Sequence, residues 1–105
     1  MTQLETTTAV FADRLAEAVE RRRSQLVLGL DPVLELLPVE LQGEAAASPA
    51  ARADAFARFC RGLIDAVAPA CVAVKPQLAF FEALGYHGLR AFEDTCSYAR
   101  EAGLL

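Results

Sequence analysis

The stretch CVAVKPQLAFF, residues 71–81, decides the fold of this chain. A short run of small and β-branched residues leads into Lys75, the only lysine of the sequence, and Pro76 follows at once. Such a run is typical of a strand that is buried on both faces. Because proline has no N–H to give to a ladder, we expect the strand to end at Lys75.

The same construction occurs once earlier in the chain. The run LVLGL, residues 26–30, leads into Asp31 and Pro32. Two such strands, separated by a helical stretch, predict parallel neighbours whose carboxyl ends share one edge of a sheet. That edge is where ligands bind in open and closed α/β folds. We therefore predict that Asp31 and Lys75 lie on one ligand-binding rim, close enough to pair.

Composition and charge exclude several classes of function. The 105 residues provide one small domain at most, and an apolar fraction of 54% is enough for a core. A net charge of −4 disfavours a nucleic-acid surface, which needs a concentrated positive field. The one basic cluster, Arg21 to Arg23, falls at the end of a predicted helix, where cations complement exposed carbonyls; an RNA contact is the alternative.

The cysteines and the histidine predict no metal site and no redox pair. Cys60, Cys71 and Cys96 are widely spaced, and His87 is the only histidine. Apolar neighbours indicate small core residues in a reducing compartment. With no signal peptide at the N-terminus and no apolar segment long enough for a bilayer, we expect a cytoplasmic protein without membrane contact.

The periodicity of apolar residues predicts alternating helices and strands. The predicted elements are a loose arm at 1–8 with Thr8 as a helix cap, helix 9–23, strand 26–31, a long connection at 32–51, helix 50–67 capped by Ser48 and Pro49, strand 71–75, a short helical turn within 77–85, helix 86–102 with Gly103 as its left-handed cap, and a third strand opening at Leu104 and Leu105. The long connection is expected either to fold over a ligand or to be a tolerated surface insertion. Phe80 and Phe81 are expected in the core, and the stripe on the last helix is assigned to Leu89, Phe92, Cys96 and Ala99.

This order predicts βαβα architecture with right-handed crossovers, in which residues 1–105 form one partial domain. A closed eight-stranded barrel needs about 250 residues, so the chain supplies less than half of one. The family resemblance described next implies that this chain is the N-terminal part of such a (β/α)₈ TIM barrel, with a flexible arm at 1–8 and a barrel fragment at 9–105.

The motifs resemble those of one enzyme family. The segments LGLDP at 28–32, Phe59-Cys60, VKPQ at 74–77, FFE at 80–82 and Gly85, in this order, resemble orotidine 5′-phosphate decarboxylase. The long connection and the Lys-Pro-Gln signature are similar to its second bacterial subgroup. The resemblance covers residues 11–105.

The resemblance implies a (β/α)₈ barrel that converts orotidine 5′-phosphate to uridine 5′-phosphate and carbon dioxide in pyrimidine biosynthesis. It implies a homodimer, a small-molecule substrate, and neither metal nor organic cofactor. On the matching positions, Asp31 would hydrogen-bond the ribose of the substrate. Lys75 would contact a ribose hydroxyl and join the charged network under the pyrimidine, while Gln77 receives no role.

One family signature is missing from the sequence. The family's Asp-x-Lys-x-x-Asp run, which carries the proton-donating lysine, is expected just beyond Leu105. We therefore predict that this polypeptide alone is inactive. Two other readings stay open: another phosphate-binding barrel such as a sugar-phosphate epimerase, and a non-catalytic βαβα interaction module.

Overall fold

The structure, a computed structural model, describes residues 10–105 as five α-helices, one 3₁₀ turn and two strands. In chain order the elements are α1 (Phe11–Arg22), β1 (Val27–Leu30), a 3₁₀ turn (Leu34–Leu36), α2 (Val39–Ala45), α3 (Pro49–Val67), β2 (Ala73–Pro76), α4 (Leu78–Glu82) and α5 (Tyr86–Glu101). The predicted arm at 1–8 and its Thr8 cap lie outside the described residues. A partial α/β fold is confirmed.

The two strands form a parallel pair. Val27 is in register with Ala73, and Leu30 is in register with Pro76. The predicted third strand begins beside β2: the Leu105 N–H donates to the Val72 carbonyl at 3.0 Å, and the Leu105 carbonyl accepts from the Val74 N–H at 2.9 Å. β2 therefore lies between β1 and the last residue of the chain.

The prediction that the second strand ends at Lys75 is wrong by one residue. Pro76 is the last residue of β2, and the next N–H, that of Gln77, donates to the Leu30 carbonyl at 3.0 Å. Successive N–H groups of a strand point to opposite edges. The nitrogen of Pro76 therefore points to the same edge of β2 as the N–H of Val74, which donates to Leu105. The hydrogen-bond ladder between β2 and β1 loses no donor.

The main core lies between the sheet and helices α2 to α5. At its centre Phe81 is fully buried, with its ring edge-on to Phe56 at 6.3 Å and to Phe92 at 5.5 Å between centroids. Leu30 and Ile64 are likewise fully buried in this cluster. The apolar stripe predicted for the helix over 50–67 is confirmed, because Phe56, Ile64 and their neighbours at three- and four-residue steps face this core.

A second, smaller cluster lies at the amino-terminal end of the sheet. Ala18 of α1 packs there with Val72 and Ala73, and Leu15 and Val19 cover them in part. Helix α1 thus packs against the start of β2.

The segment predicted as a long loop, 32–51, is mostly helical. It contains the 3₁₀ turn and α2, and its residues Leu37 and Ala45 are buried in the main core. The Gln42 amide donates to the Leu37 carbonyl at 2.8 Å, and the Arg52 guanidinium donates to the Ala45 carbonyl at 3.0 Å. Leu37 and Ala45 thus anchor the segment in the main core, whereas Leu36 and Val39 are 77% and 76% exposed. The segment is therefore not a structureless loop, and its two expected roles stay predictions.

Two aromatic and apolar positions also differ from expectation. Phe80 is 37% exposed, since the single turn of α4 points Phe81 into the core and Phe80 away from it. Leu89 is 45% exposed, and the buried residues of α5 are Gly88, Ala91, Thr95 and Ala99. Gly88 lies there because a Cβ at this position would be 1.7 Å from the Phe81 carbonyl oxygen.

The predicted helix ends are confirmed at two places. The Ser48 hydroxyl accepts from the Ala51 N–H at 3.0 Å at the start of α3. Gly103 has a φ of +84° after α5. Arg22 is also bound to carbonyls, but to those of other helices: its guanidinium donates to Ala68 after α3 and to Ala102 after α5.

The cysteines do not form disulfides in the described chain, and Cys60 and Cys71 are buried as predicted, whereas Cys96 is half-buried. Within residues 10–105, no helix combines the length and apolarity that crossing a bilayer requires.

Candidate functional site

Asp31 lies directly after β1, at the carboxyl end of the strand. Its side chain is exposed, and its Oδ2 would lie 3.7 Å from a Cβ built on Gly29, two residues earlier. The carboxylate therefore leans over Gly29, on the face of the sheet to which residues 27, 29 and 31 point.

Lys75 reaches the same face from the neighbouring strand. It is in register with Gly29, and residues in register on paired strands point to the same side of a sheet. Its side chain is exposed. The structure therefore brings together the two residues that the sequence predicted on one rim.

Gly29 is the member of this site that the sequence analysis missed. Because Gly29 has no side chain, the space beside Lys75, with which it is in register, stays open. A glycine inside a strand pattern often marks the close approach of a ligand or another backbone. That signal was present in the run LVLGL.

We call the surface formed by Val27, Gly29, Asp31 and Lys75 the open face. No helix of residues 10–105 covers Val27, which is 53% exposed although it is the first residue of an apolar strand. Its partner in register, Ala73, is buried against α1. The open face is thus covered at the start of β2 and accessible at Val27, Gly29 and Lys75.

The expected ion pair between Asp31 and Lys75 is not formed. Among residues 10–105 the one ion pair joins Arg58 to Glu44, with 3.0 Å between the guanidinium and the carboxylate. Both side chains are about half exposed, and neither residue belongs to the open face. Asp31 and Lys75 therefore present a separate negative and a separate positive group. A carboxylate accepts hydrogen bonds from hydroxyls, and an ammonium donates three and attracts anions. The pair fits a ligand with hydroxyl groups and a negative charge.

A buried thiol lies behind the site. Burial raises the pKa of Cys60 on α3 to about 12; Arg61 opposes the rise, and the negative charge of Asp31 adds to it. The thiol is therefore protonated at neutral pH and is no nucleophile.

Gln77 contributes its backbone rather than its side chain. Its N–H closes the ladder to β1 on the Leu30 carbonyl, and its side chain is exposed at the start of α4. Residues 10–105 hold no group of three or more His, Cys, Asp or Glu side chains that could bind a metal ion.

Comparison with curated proteins identifies several relatives that carry the same enzyme name. The chain is 42% identical over 96 residues to an orotidine 5′-phosphate decarboxylase from Rhodopirellula baltica, 39% identical over 88 residues to one from Phocaeicola vulgatus, and 40% identical over 88 residues to one from Parabacteroides distasonis. The resemblance drawn from the motifs is therefore confirmed.

The similarity extends over most of this chain but over a small part of the relatives. The matches cover 84–90% of the chain and 29–32% of the relatives' own length. No family model matches the chain, and no solved structure matches it.

Proposed function

Since the chain is related to a part of the orotidine 5′-phosphate decarboxylases, we propose that it supplies the ribose-binding portion of such an enzyme. The reaction removes the carboxylate of orotidine 5′-phosphate to give uridine 5′-phosphate and carbon dioxide. In this proposal the carboxylate of Asp31 accepts a hydrogen bond from a ribose hydroxyl. The ammonium of Lys75 donates to a neighbouring hydroxyl and holds positive charge near the anionic substrate.

One observation supports this proposal: Asp31 and Lys75 lie on the same face of the sheet, on either side of Gly29. The substrate carries adjacent ribose hydroxyls and negative groups, which matches a carboxylate and an ammonium that do not neutralise each other. Loss of carbon dioxide leaves a carbanion, and fixed positive charge in a dry site lowers the barrier to forming it. Lys75 contributes to that field.

We further propose that the described chain is inactive alone. Its only lysine follows Ala73 by two residues, so the sequence contains no Asp-x-Lys-x-x-Asp run. The lysine of that run would donate the proton to the carbanion, and Lys75 holds a different place in the pattern. A complete (β/α)₈ barrel, a homodimer and catalysis without metal or organic cofactor belong to the same proposal for the whole enzyme.

A chimeric enzyme tests the proposal. Residues 10–105 would replace the matching segment of the Rhodopirellula baltica enzyme, and the conversion of orotidine 5′-phosphate to uridine 5′-phosphate would be followed by chromatography. We expect the chimera to convert the substrate and the 105-residue chain alone to convert none. The unmodified enzyme serves as the positive control. A folded chimera without activity, or turnover by the chain alone, would contradict the proposal.

A further inference from the structure

Gly29 is the one glycine of the described chain that lies inside a strand, and the fold does not require a glycine there. Among the glycines of residues 10–105, those with a positive φ are Gly85 and Gly103. Beyond its chain neighbours, a Cβ built on Gly29 would meet one atom within 4 Å, the Oδ2 of Asp31 at 3.7 Å, which is ordinary van der Waals contact. Both the backbone and the packing therefore accept a side chain at this position, although glycine in a strand costs stability.

Asp31 and Lys75 lie diagonally to each other on the open face, with Gly29 between them. Gly29 is in register with Lys75 on the neighbouring strand, and Asp31 follows Gly29 by two residues along the chain. With about 4.8 Å between strands and a rise of about 3.3 Å per residue, the Cα atoms of Asp31 and Lys75 are about 8 Å apart. The gap between the two charged side chains has the bare backbone of Gly29 as its floor.

The backbone that carries the Asp31 carboxylate is held in place from both sides. Its neighbours in sequence, Leu30 and Pro32, are both fully buried. The Leu30 carbonyl also accepts a hydrogen bond from the Gln77 N–H at 3.0 Å. Because close-packed residues resist displacement, the strand does not shift to make room for an added group. A side chain at Gly29 would therefore occupy space that is otherwise open to a ligand.

We propose that Gly29 is a specificity-determining residue, because it sets how closely the sugar of the substrate approaches the sheet. The inference rests on the proposed function, in which Asp31 and Lys75 bind hydroxyls of the ribose. A sugar that lies against the bare backbone reaches the carboxylate on one side and the ammonium on the other. A side chain at position 29 would lift the sugar and stretch both hydrogen bonds beyond their normal length of about 2.7–3.2 Å.

Steady-state kinetics of Gly29→Ala and Gly29→Val in the chimeric enzyme test the inference. We expect Gly29→Ala to raise KM for orotidine 5′-phosphate by about tenfold, as one overpacked methyl group does, and Gly29→Val to raise it further. The kcat should change by less than about threefold, since the added group obstructs the bound substrate and the transition state alike. The melting temperature should not fall, because the fold accepts a side chain here. Gly62→Ala, which adds a methyl group in open space on α3, serves as the control with unchanged KM.

Two competitive inhibitors, ribose 5-phosphate and uridine 5′-phosphate, test whether the sugar is the group that lies at Gly29. Gly29→Ala should weaken both inhibitors by the same factor, because they share the sugar. Weakening of uridine 5′-phosphate alone would overturn the inference, as would an unchanged KM in both variants or a lower melting temperature. In these cases a loss of activity in Asp31→Asn would leave the proposed function standing. A folded chimera without activity would contradict the proposed function and this inference with it.

Discussion

The two faces of the small parallel sheet serve different purposes, although both are built from the same four-residue strands. On the covered face, Leu28, Leu30 and Val74 pack under the helices in the main core. On the open face, Gly29 and Lys75 are exposed between the ends of the strands. Alternation with a period of two lets one short strand supply stability through one set of residues and chemistry through the other. Substitutions on the two faces should therefore have different consequences.

The largest effect on stability is expected at the centre of the covered side. Phe81→Ala removes a fully buried ring that contacts Phe56 and Phe92, and should lower the free energy of unfolding by about 3–5 kcal/mol. Phe80→Ala, one residue away and 37% exposed, should cost less than about 1 kcal/mol. Urea unfolding followed by circular dichroism measures both, and equal losses would remove the distinction between the two positions.

The buried thiol of Cys60 should make the free energy of unfolding depend on pH in the alkaline range. Its pKa is about 12 in the folded chain and 9.0 as its ordinary value, so between these pH values the unfolded chain alone loses the proton. The free energy of unfolding should therefore fall as pH rises, by about 1.4 kcal/mol per pH unit from this group. Below pH 9 the group has no effect.

Unfolding curves from pH 8 to 11 measure this slope, with Cys60→Ala as the comparison. The variant keeps every other titrating group, including Tyr98, whose pKa is raised by its hydrogen bond to Asp65. A slope that is the same with and without the thiol would show that Cys60 ionises freely in the fold.

Two glycines, Gly88 and Gly62, test how tightly the helices over the sheet are packed. Gly88→Ala places a Cβ 1.7 Å from the Phe81 carbonyl oxygen, so α4 and α5 must separate, at a cost of about 1–3 kcal/mol. Gly62→Ala, in the exposed middle of α3 with no atom within 4 Å of its Cβ, should stabilise the chain by about 0.5–1 kcal/mol. Thermal unfolding distinguishes the signs, and two changes in the same direction would contradict the packing described.

A loss of comparable size is expected where Arg22 joins α1 to the ends of two other helices. Arg22→Gln removes charge-assisted hydrogen bonds to the carbonyls of Ala68 and Ala102, and should destabilise the chain by about 1.5–3 kcal/mol. Arg21→Gln, on the neighbouring exposed residue, should change stability by less than about 0.5 kcal/mol. Chemical unfolding of both variants provides the test, since comparable losses would mean that the bridge to the two helices contributes nothing.

Sequence patterns predicted the parts of the fold that depend on periodicity and on special residues. The two strands, the long helices, the caps at Ser48 and Gly103, and the meeting of Asp31 with Lys75 follow from apolar runs and from proline and glycine chemistry. Each of these signals is local, and each is strong enough to be read without tertiary structure.

Features that depend on tertiary contacts could not be predicted in the same way. The prolines and alanines of the segment 32–51 give no clear stripe and predict a loop, yet the segment is mostly helical, with Leu37 and Ala45 buried in the main core. Phe80 and Phe81 are equally apolar in sequence, and only the direction of α4 separates them. The bonds of Arg22 to two distant helices leave no local trace at all.

The most direct test of the account measures what the open face does in the assembled enzyme. In the active chimera, Lys75→Ala and Asp31→Asn should each lower kcat/KM for orotidine 5′-phosphate by at least about a hundredfold, since each removes a hydrogen bond by a charged group in the site and leaves its polar partner unpaired. The melting temperature should stay within about 2 °C, because both side chains are exposed in the chain and unpaired with each other. Unchanged kcat/KM in both variants would contradict the claim that Asp31 and Lys75 form the substrate site.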